Sequence, residues 1–164
     1  MKFKDIIYAM TCLSFAVVIG AAVYEHLAVV PRWTMAPPAS LSMFQGPYGL
    51  NAQAFWKPIH PVTLLLFITT LIVSWKSQRK ASVLIAFVGY VVVLAVTFAY
   101  FVPELIAITS TPYIDIIDSD LMNRAQLWES LSLVRLGVLI LLSLTLLLGL
   151  AKKEEIETDH LRVL

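Results

Sequence analysis

The sequence has almost no cysteine. Cys12 is the single one in 164 residues, so the chain can form no internal disulfide and carries no paired-cysteine redox motif. This excludes the four-helix membrane thiol oxidases, which depend on paired cysteines. A lone cysteine within an apolar run is typical of a small packing residue, which is the role that we expect for Cys12.

Charged residues are also scarce. They make up 14% of the chain, which is too little polar surface to cover a water-soluble domain of this length. The net charge of +1 is spread over small groups between apolar blocks, so the chain has no basic field suited to nucleic acid. Hydrophobic residues make up 59% and the mean hydropathy is +0.82, which predicts an integral membrane protein whose partner is the lipid bilayer.

Four apolar blocks are long enough to cross a bilayer as helices, since a hydrocarbon core of about 30 Å needs roughly 20 helical residues. The period-two alternation of a transmembrane β-barrel is absent. The sequence therefore predicts one all-α domain, an integral membrane four-helix bundle with two long outer loops and a cytoplasmic tail. We place the helices at about 6–30, 56–75, 82–102 and 121–151, the outer loops at 31–55 and 103–120, and the tail at 152–164.

Prolines and the two outer loops add detail to this plan. Pro103 is expected to end the third helix, and Pro58 and Pro61 to stand at the start of the second. The loop 31–55 holds several prolines, glycines and aromatic residues, a composition that favours a lid lying on the bundle. The loop 103–120 mixes isoleucines with three aspartates and predicts one short amphipathic helix at the membrane interface.

The distribution of lysines and arginines predicts the orientation. Most of them stand in the first four residues, in the short connection 76–80 and in the tail, while the outer loops hold few. The positive-inside rule then places both termini in the cytoplasm. Tryptophans are expected at the two interfaces, with Trp33, Trp56 and Trp128 at the outer one and Trp75 at the inner one.

A cleaved signal peptide is an alternative for the start of the chain. Lys2 and Lys4 precede an apolar run that contains the small residues Gly20, Ala21 and Ala22. The run is longer than the usual apolar core of about 7 to 15 residues, so a first transmembrane helix is favoured.

Ionisable side chains within the apolar blocks fall at one depth, near the outer ends of the helices. Each costs about 2.5 to 3.5 kcal/mol on insertion scales, so such residues are expected to face the interior of the bundle or a cavity. The sequence therefore predicts one polar cluster. Its members are Glu25, His26, His60, Glu104, Arg124, Glu129 and Arg135.

Arg135 is the most demanding member, because an unbroken apolar run follows it and its guanidinium needs a partner or must reach outward. Spacings of three and four place it on a helical face that is a candidate site for an anion or an aromatic ring. A structural alternative is an ion pair between Arg135 and Glu25 that pins two helices together. The predicted face consists of Leu121, Arg124, Trp128, Leu131 and Arg135.

The acidic and histidine members allow two kinds of chemistry besides purely structural roles. Glu25, His26, His60 and Glu104 are of the ligand types found in zinc, iron or copper sites, but no Glu-x-x-His or His-x-x-x-His spacing occurs. A second hypothesis needs no metal. In it Glu25 with either histidine takes a proton from a weakly acidic carbon or phenol, and Arg135 holds the resulting oxyanion.

The chain resembles the anthrone oxygenase-like family of small four-helix membrane proteins. The features that carry the resemblance are Gly20 with Tyr24-Glu25 and Pro31 in the first helix, the aromatic and proline-rich loop, Phe101-Val102-Pro103, and Asn123-Arg124 with Trp128 and Arg135. Family members often show a tryptophan, a histidine four residues later and an arginine three beyond. Trp128 and Arg135 match this pattern, and Ser132 stands at the position of the histidine.

The fungal members of that family oxidise anthrones to anthraquinones with molecular oxygen. The resemblance therefore implies an oxygenase-like or oxidoreductase-like protein that acts on a lipophilic aromatic or quinone-type substrate in an outward-facing pocket, with the cofactor unknown. The alternatives are a non-catalytic membrane protein that binds a lipid or a partner, and a metal- or haem-binding protein. We assign catalysis to Glu25, His26, His60 and Arg135, substrate binding to Tyr24, Trp33, Glu104, Arg124, Trp128 and Glu129, and no residue to a metal.

Overall fold

The computed structural model describes residues 3–152. Within them the chain forms no β-strand and four long helices: α1 Phe3–Thr34, α2 Gln53–Val73, α3 Lys80–Thr109 and α4 Ser119–Leu150. Each helix is long and apolar enough to cross a membrane, so the chain is an all-α, integral membrane four-helix bundle, as the hydropathy predicts. The predicted tail, apart from its first residue, lies outside the described residues.

Consecutive helices run in opposite directions and form a closed ring of neighbours. Helix α1 packs against α2 and α4, and α4 packs against α3, whereas the interface between α2 and α3 is the least extensive of the four. We call the end of the bundle that holds Phe3, the short turn 74–79 and Lys152 the terminal end. The opposite end, which holds the long connections 35–52 and 110–118, is the loop end.

Hydroxyl groups join the helices from the terminal end to the middle of the bundle. Tyr8 donates from its hydroxyl to the Leu146 carbonyl at 2.7 Å, and the Thr11 and Thr70 hydroxyls lie 2.6 Å apart across α1 and α2. Apolar packing alone does not distinguish a neighbouring helix from lipid, so close contacts and interhelical hydrogen bonds determine which helices associate. These bonds fix the register of α1 against α2 and α4.

Two π-helical turns interrupt the α-helical hydrogen bonding, one in α1 at Glu25–Val29 and one in α3 at Thr97–Phe101. Each ends two residues before a proline, Pro31 or Pro103. In an α-helix a proline ring clashes with the preceding turn, and its missing N–H leaves one carbonyl without a hydrogen bond. The wider π-helical turn replaces the α-helical hydrogen bonds at that place, so the proline can be accommodated. Both helices therefore continue past their prolines.

This continuation corrects two predictions. Pro103 does not end the third helix, because α3 runs on to Thr109, so the loop 103–120 holds no separate amphipathic helix. Pro58 and Pro61 lie inside α2 and not at its start, because α2 begins at Gln53.

The two long connections hold each other across the loop end. The Asp118 N–H donates to the Pro37 carbonyl at 3.0 Å, and the Gln45 side-chain amide donates to the Thr111 carbonyl at 3.1 Å. A short 3₁₀-helix, Ala39–Phe44, places Leu41 in a fully buried position within the first connection. The connection 35–52 thus forms a packed cover over the ends of the helices.

Candidate functional site

A cavity of about 570 Å³ lies between the four helices at the loop end, beneath the connection 35–52. Its volume falls within the range of about 300 to 1,000 Å³ that is usual for small-molecule sites. Most of its wall is apolar, and a small number of polar side chains reach it from all four helices. They are Glu25, His26, Gln53, Lys57, His60, Thr97, Ser132 and Arg135.

His26 lines the cavity and has one ring nitrogen without a hydrogen-bond partner. Its side chain is only 8% exposed, and its Nδ1 lies 2.8 Å from the Ala22 carbonyl, which can only accept a hydrogen bond. Nδ1 therefore carries the proton, and Nε2 is an acceptor in the neutral ring. Among residues 3–152, Nε2 of His26 is the one buried side-chain nitrogen or oxygen without a hydrogen-bond partner. Such an atom is costly in the apolar interior unless a ligand supplies the missing hydrogen bond.

Arg135 lies among hydroxyls and aromatic rings. Its Nη1 donates to Thr97 Oγ1 at 3.2 Å and its Nη2 to Ser132 Oγ at 2.7 Å. Its guanidinium carbon lies 4.2 Å from the ring centroid of Phe101 and 6.0 Å from that of Trp128. A guanidinium has five N–H groups, so several remain for a ligand oxygen.

The expected ion pair between Arg135 and Glu25 does not form. In the described part of the chain no carboxylate lies within ion-pair distance of Arg135. Glu25 instead accepts a hydrogen bond from the Trp56 indole at 2.9 Å, so it is tied to α2 and not to α4. The two charged groups therefore line one cavity without neutralising each other directly.

His60 is held more firmly than His26. Its Nδ1 lies 2.7 Å from the Tyr90 hydroxyl, and its ring stacks on Trp56 with a centroid separation of 5.3 Å and an interplanar angle of 20°. This arrangement fixes one face and one nitrogen of the imidazole against the cavity wall. His60 is thus a wall residue with a polar edge, whereas His26 presents a free acceptor.

Trp33 and Trp128 form an aromatic wall of the cavity. Their ring centroids lie 5.4 Å apart, and the Trp128 indole donates to the Phe101 carbonyl at 2.9 Å. Both side chains are buried within the bundle, so they do not form an exposed aromatic belt. Both line the cavity, and their role in substrate binding stays a prediction.

Four of the predicted site residues do not reach this cavity. Glu104 and Arg124 form a partly exposed ion pair at 2.8 Å, and Glu129 accepts a hydrogen bond from the Thr34 hydroxyl at 2.7 Å. Tyr24 is 65% exposed and borders a smaller surface pocket on the outer side of α1. These four residues therefore do not join the other predicted site residues in a shared site.

The predicted face of α4 is also displaced. Leu131 and Arg124 are exposed, and the buried face runs instead through Ala125, Trp128 and Ser132. Successive side chains on a helix point about 100° apart. A small error in the predicted rotation of α4 about its axis therefore changes which row of side chains is predicted to face the bundle. Trp128 and Arg135 still reach the cavity, although the buried face of α4 differs from the predicted one.

The set of residues considered as metal ligands does not come together. Glu104 is bound to Arg124 at the surface, away from Glu25, His26 and His60. Within residues 3–152, no three or more histidine, cysteine, aspartate or glutamate side chains are arranged to hold a metal ion.

Sequence reasoning missed Thr97 as a site residue and treated Ser132 only as a departure from a family pattern. Both are polar positions in long apolar runs, and this was the available signal. The structure brings their hydroxyls together on the Arg135 guanidinium. The π-helical turns contribute as well, since Thr97 and Phe101 are the first and last residues of one turn and Glu25 and His26 open the other.

No family model matches this chain, and no curated protein and no solved structure is significantly similar to it.

Proposed function

We propose that this chain is a membrane-embedded enzyme of the oxygenase or oxidoreductase type that acts on a lipophilic aromatic or quinone-type substrate in the cavity at the loop end. One observation carries the proposal. A single, largely apolar cavity is lined both by His26, whose Nε2 is buried without a hydrogen-bond partner, and by Arg135, whose guanidinium has no carboxylate partner in the described part of the chain.

The two groups suit proton abstraction next to a carbonyl. The Ala22 carbonyl orients the His26 ring so that Nε2 can accept a proton from a substrate. Arg135 can donate hydrogen bonds to the oxygen on which negative charge develops, and such donors are most effective where water is excluded. Phe101 and Trp128, which already contact Arg135, give a flat ring an aromatic surface on which to lie.

An anthrone illustrates the chemistry. His26 takes one proton from the methylene carbon, and the electron pair moves to the carbonyl oxygen, where Arg135 donates hydrogen bonds to the enolate. Molecular oxygen then oxidises the carbanion-equivalent carbon. In the overall reaction one oxygen atom becomes the new carbonyl of anthraquinone, and the other leaves as water with the two methylene hydrogens.

The resemblance to the anthrone oxygenase-like family supports this choice of substrate class. Ser132 occupies the position of the family's histidine, and its hydroxyl accepts a hydrogen bond from Arg135. In this chain we assign the role of the ring base to His26 of α1, which reaches the same cavity from another helix. Glu25, which accepts from Trp56, and His60, which contacts Tyr90, then serve as further polar groups of the wall.

The proposal is tested with purified protein in lipid nanodiscs, anthrone and dissolved oxygen. The wild-type protein should form anthraquinone and consume one oxygen molecule per product. Arg135→Met should lower the rate about 10² to 10³-fold, the loss usual for a donor to an oxyanion. His26→Phe should lower it about 10² to 10⁴-fold, as expected for a general base. Arg32→Met is the matched control, because Arg32 is exposed near the end of α1 and does not line the cavity.

Equal rates for the wild type, Arg135→Met and His26→Phe would contradict the proposal. Binding of anthrone without turnover would instead support the second candidate, a non-catalytic protein that binds a lipophilic molecule. That candidate is favoured by the largely apolar cavity wall and by Ser132 in place of a ring base. Both candidates use the same cavity, and turnover separates them.

We also propose that both termini are cytoplasmic and that the cavity lies in the outer half of the bilayer. Arg79, Lys80 and Lys152 stand at the terminal end, which agrees with the positive-inside rule. In a Cys12→Ser background, a membrane-impermeant maleimide added to whole cells should label Tyr48→Cys at the loop end and not Ser77→Cys in the short turn. The reverse labelling would overturn the orientation.

A further inference from the structure

The wall of the cavity is open on one side. All the lining residues contributed by α1 and α4 are buried or half-buried, whereas α2 and α3 contribute lining residues that are also exposed at the surface. On α3, Phe98 is 61% and Ile106 48% exposed, and on α2 Lys57 and Pro61 are exposed as well. These four residues define what we call the α2–α3 opening. It lies at the least extensive of the four helix interfaces.

Phe98 and Pro61, two of the four residues of the opening, lie deep along their helices, whereas Ile106 stands three residues before the end of α3. Phe98 stands 11 residues before the end of α3 at Thr109, which corresponds to about 16 Å along the helix axis. Pro61 stands eight residues after the start of α2 at Gln53, or about 12 Å. At such depths a gap between two helices of the bundle faces lipid chains.

The chemistry of the opening agrees with contact to lipid. Phe98, Ile106 and Pro61 give it apolar edges, and Lys57 lies one helical turn nearer the loop end than Pro61. A lysine can lay its apolar stem along such a wall and hold its ammonium group at the membrane surface. The opening therefore has an apolar lower part at Phe98 and Pro61, and its upper rim holds the cation of Lys57 beside the apolar Ile106.

We infer that the ligand is an amphiphile taken directly from the bilayer, whose ring binds in the cavity and whose long alkyl or isoprenoid tail leaves through the α2–α3 opening. The polar end is recognised by complementary hydrogen bonds. His26 Nε2 requires a donor such as a ring hydroxyl or an acidic C–H, and Arg135 requires an oxygen acceptor. The inference rests on the proposed function for the nature of the ring, but the tail and its path follow from the opening alone.

Two probes and two variants test the inference. The probes are radiolabelled anthrone and radiolabelled anthrone that carries a hexadecyl chain on an outer ring, each bound to protein in nanodiscs. Ile106→Trp narrows the opening. Val96→Trp is the matched control, since Val96 lies on the same helix, is 48% exposed and does not line the cavity. Tryptophan is added in both variants, so general effects of the larger side chain cancel.

Ile106→Trp should weaken binding of the hexadecyl probe about tenfold, because the bulky ring and the tail compete for the same space. It should weaken binding of the bare ring far less, and Val96→Trp should leave binding of both probes unchanged. Equal weakening of both probes by Ile106→Trp, or no weakening of either, would overturn the inference while the wild type still binds and oxidises anthrone. If the wild type binds the hexadecyl probe through the opening but fails to bind the bare ring or to react, the proposed function falls and the entry path stands.

Discussion

Two largely buried arginines of the bundle have opposite surroundings. Arg79, at the terminal end, is 9% exposed, pairs with Asp5 at 2.6 Å and donates to the Lys152 carbonyl at 3.0 Å. Arg135, in the middle of α4, contacts two hydroxyls and two aromatic rings and no described carboxylate. The charge of Arg79 is balanced by a carboxylate of the protein, whereas that of Arg135 is not balanced by any described carboxylate. We propose that burial of Arg79 serves the structure and that burial of Arg135 serves binding.

The packing around the two arginines differs in the same way. At the terminal end Gly149 of α4 lies so close to Tyr8 and Ser82 that no side chain fits there. At the loop end the helices separate around a cavity of about 570 Å³, and the rings of Trp33 and Trp128 line it. A tightly packed end can hold the helices in register, and the other end can then remain open. We expect substitutions at the terminal end to change stability and those at the loop end to change binding.

The largest expected effect on stability is that of Arg79→Met. Methionine keeps much of the apolar stem but removes the guanidinium that lies 2.6 Å from the half-buried Asp5 carboxylate. Removing one member of a buried pair costs about 3 kcal/mol. The free energy of unfolding, measured by denaturation in detergent micelles, should fall by about this amount. The double variant Asp5→Asn, Arg79→Met should recover part of the loss, because it also removes the negative charge that paired with Arg79. A loss equal to the sum of the single effects would contradict the ion-pair explanation.

Gly149→Ala should have the next largest effect. A Cβ atom at this position would meet Ser82 Cβ and the Tyr8 hydroxyl well inside contact distance, so the α1–α4 or α3–α4 packing must shift. Overpacking of this kind costs about 1 to 3 kcal/mol. Gly137→Ala is the matched control on the same helix, because a Cβ atom there meets nothing within 4 Å. If both variants unfold at the same temperature, the close packing of the terminal end is not a main source of stability.

The sequence predicts the four-helix fold of this chain well, but it predicts the residues at which the helices begin and end less well. Runs of apolar residues predict four crossings because lipid requires every backbone polar group to be bonded within the helix. The same reasoning stops α3 at Pro103, since it does not foresee the π-helical turn Thr97–Phe101 that lets the helix pass the proline. Such a turn depends on the packing around it and has no reliable local signal.

The sequence predicts where the site residues lie along their helices, but not toward which neighbour each side chain points. Glu25, His26, His60 and Arg135 were predicted at one level and line one cavity. Glu104 and Arg124 share that level, yet they pair at the surface. Hydropathy fixes position along a helix, whereas rotation about its axis depends on which neighbours pack against it. This is why the expected pair of Glu25 and Arg135 is replaced by separate contacts to Trp56 and to the two hydroxyls.

Arg135→Met sharpens the comparison of the two arginines because its expected effect has the opposite sign to that of Arg79→Met. The substitution removes a charge that has no carboxylate partner among the described residues, which saves part of the insertion cost. It also leaves the Thr97 and Ser132 hydroxyls without one donor each. We expect a net gain of about 1 kcal/mol in the free energy of unfolding. A loss as large as that of Arg79→Met would show that Arg135 is a helix clamp and not a binding residue.

The smallest effect that we predict is that of Thr11→Val. The Thr11 hydroxyl lies 2.6 Å from that of Thr70 and joins α1 to α2, and interhelical bonds of this kind are worth about 0.6 kcal/mol on average in membranes. Thr69→Val is the control, because the Thr69 hydroxyl donates at 2.8 Å to Leu65 of its own helix and is exposed. A loss confined to Thr11→Val means that hydroxyl pairing helps to hold the terminal end in register. An equal loss in Thr69→Val would show that the shared chemical change, and not the contact between helices, lowers stability.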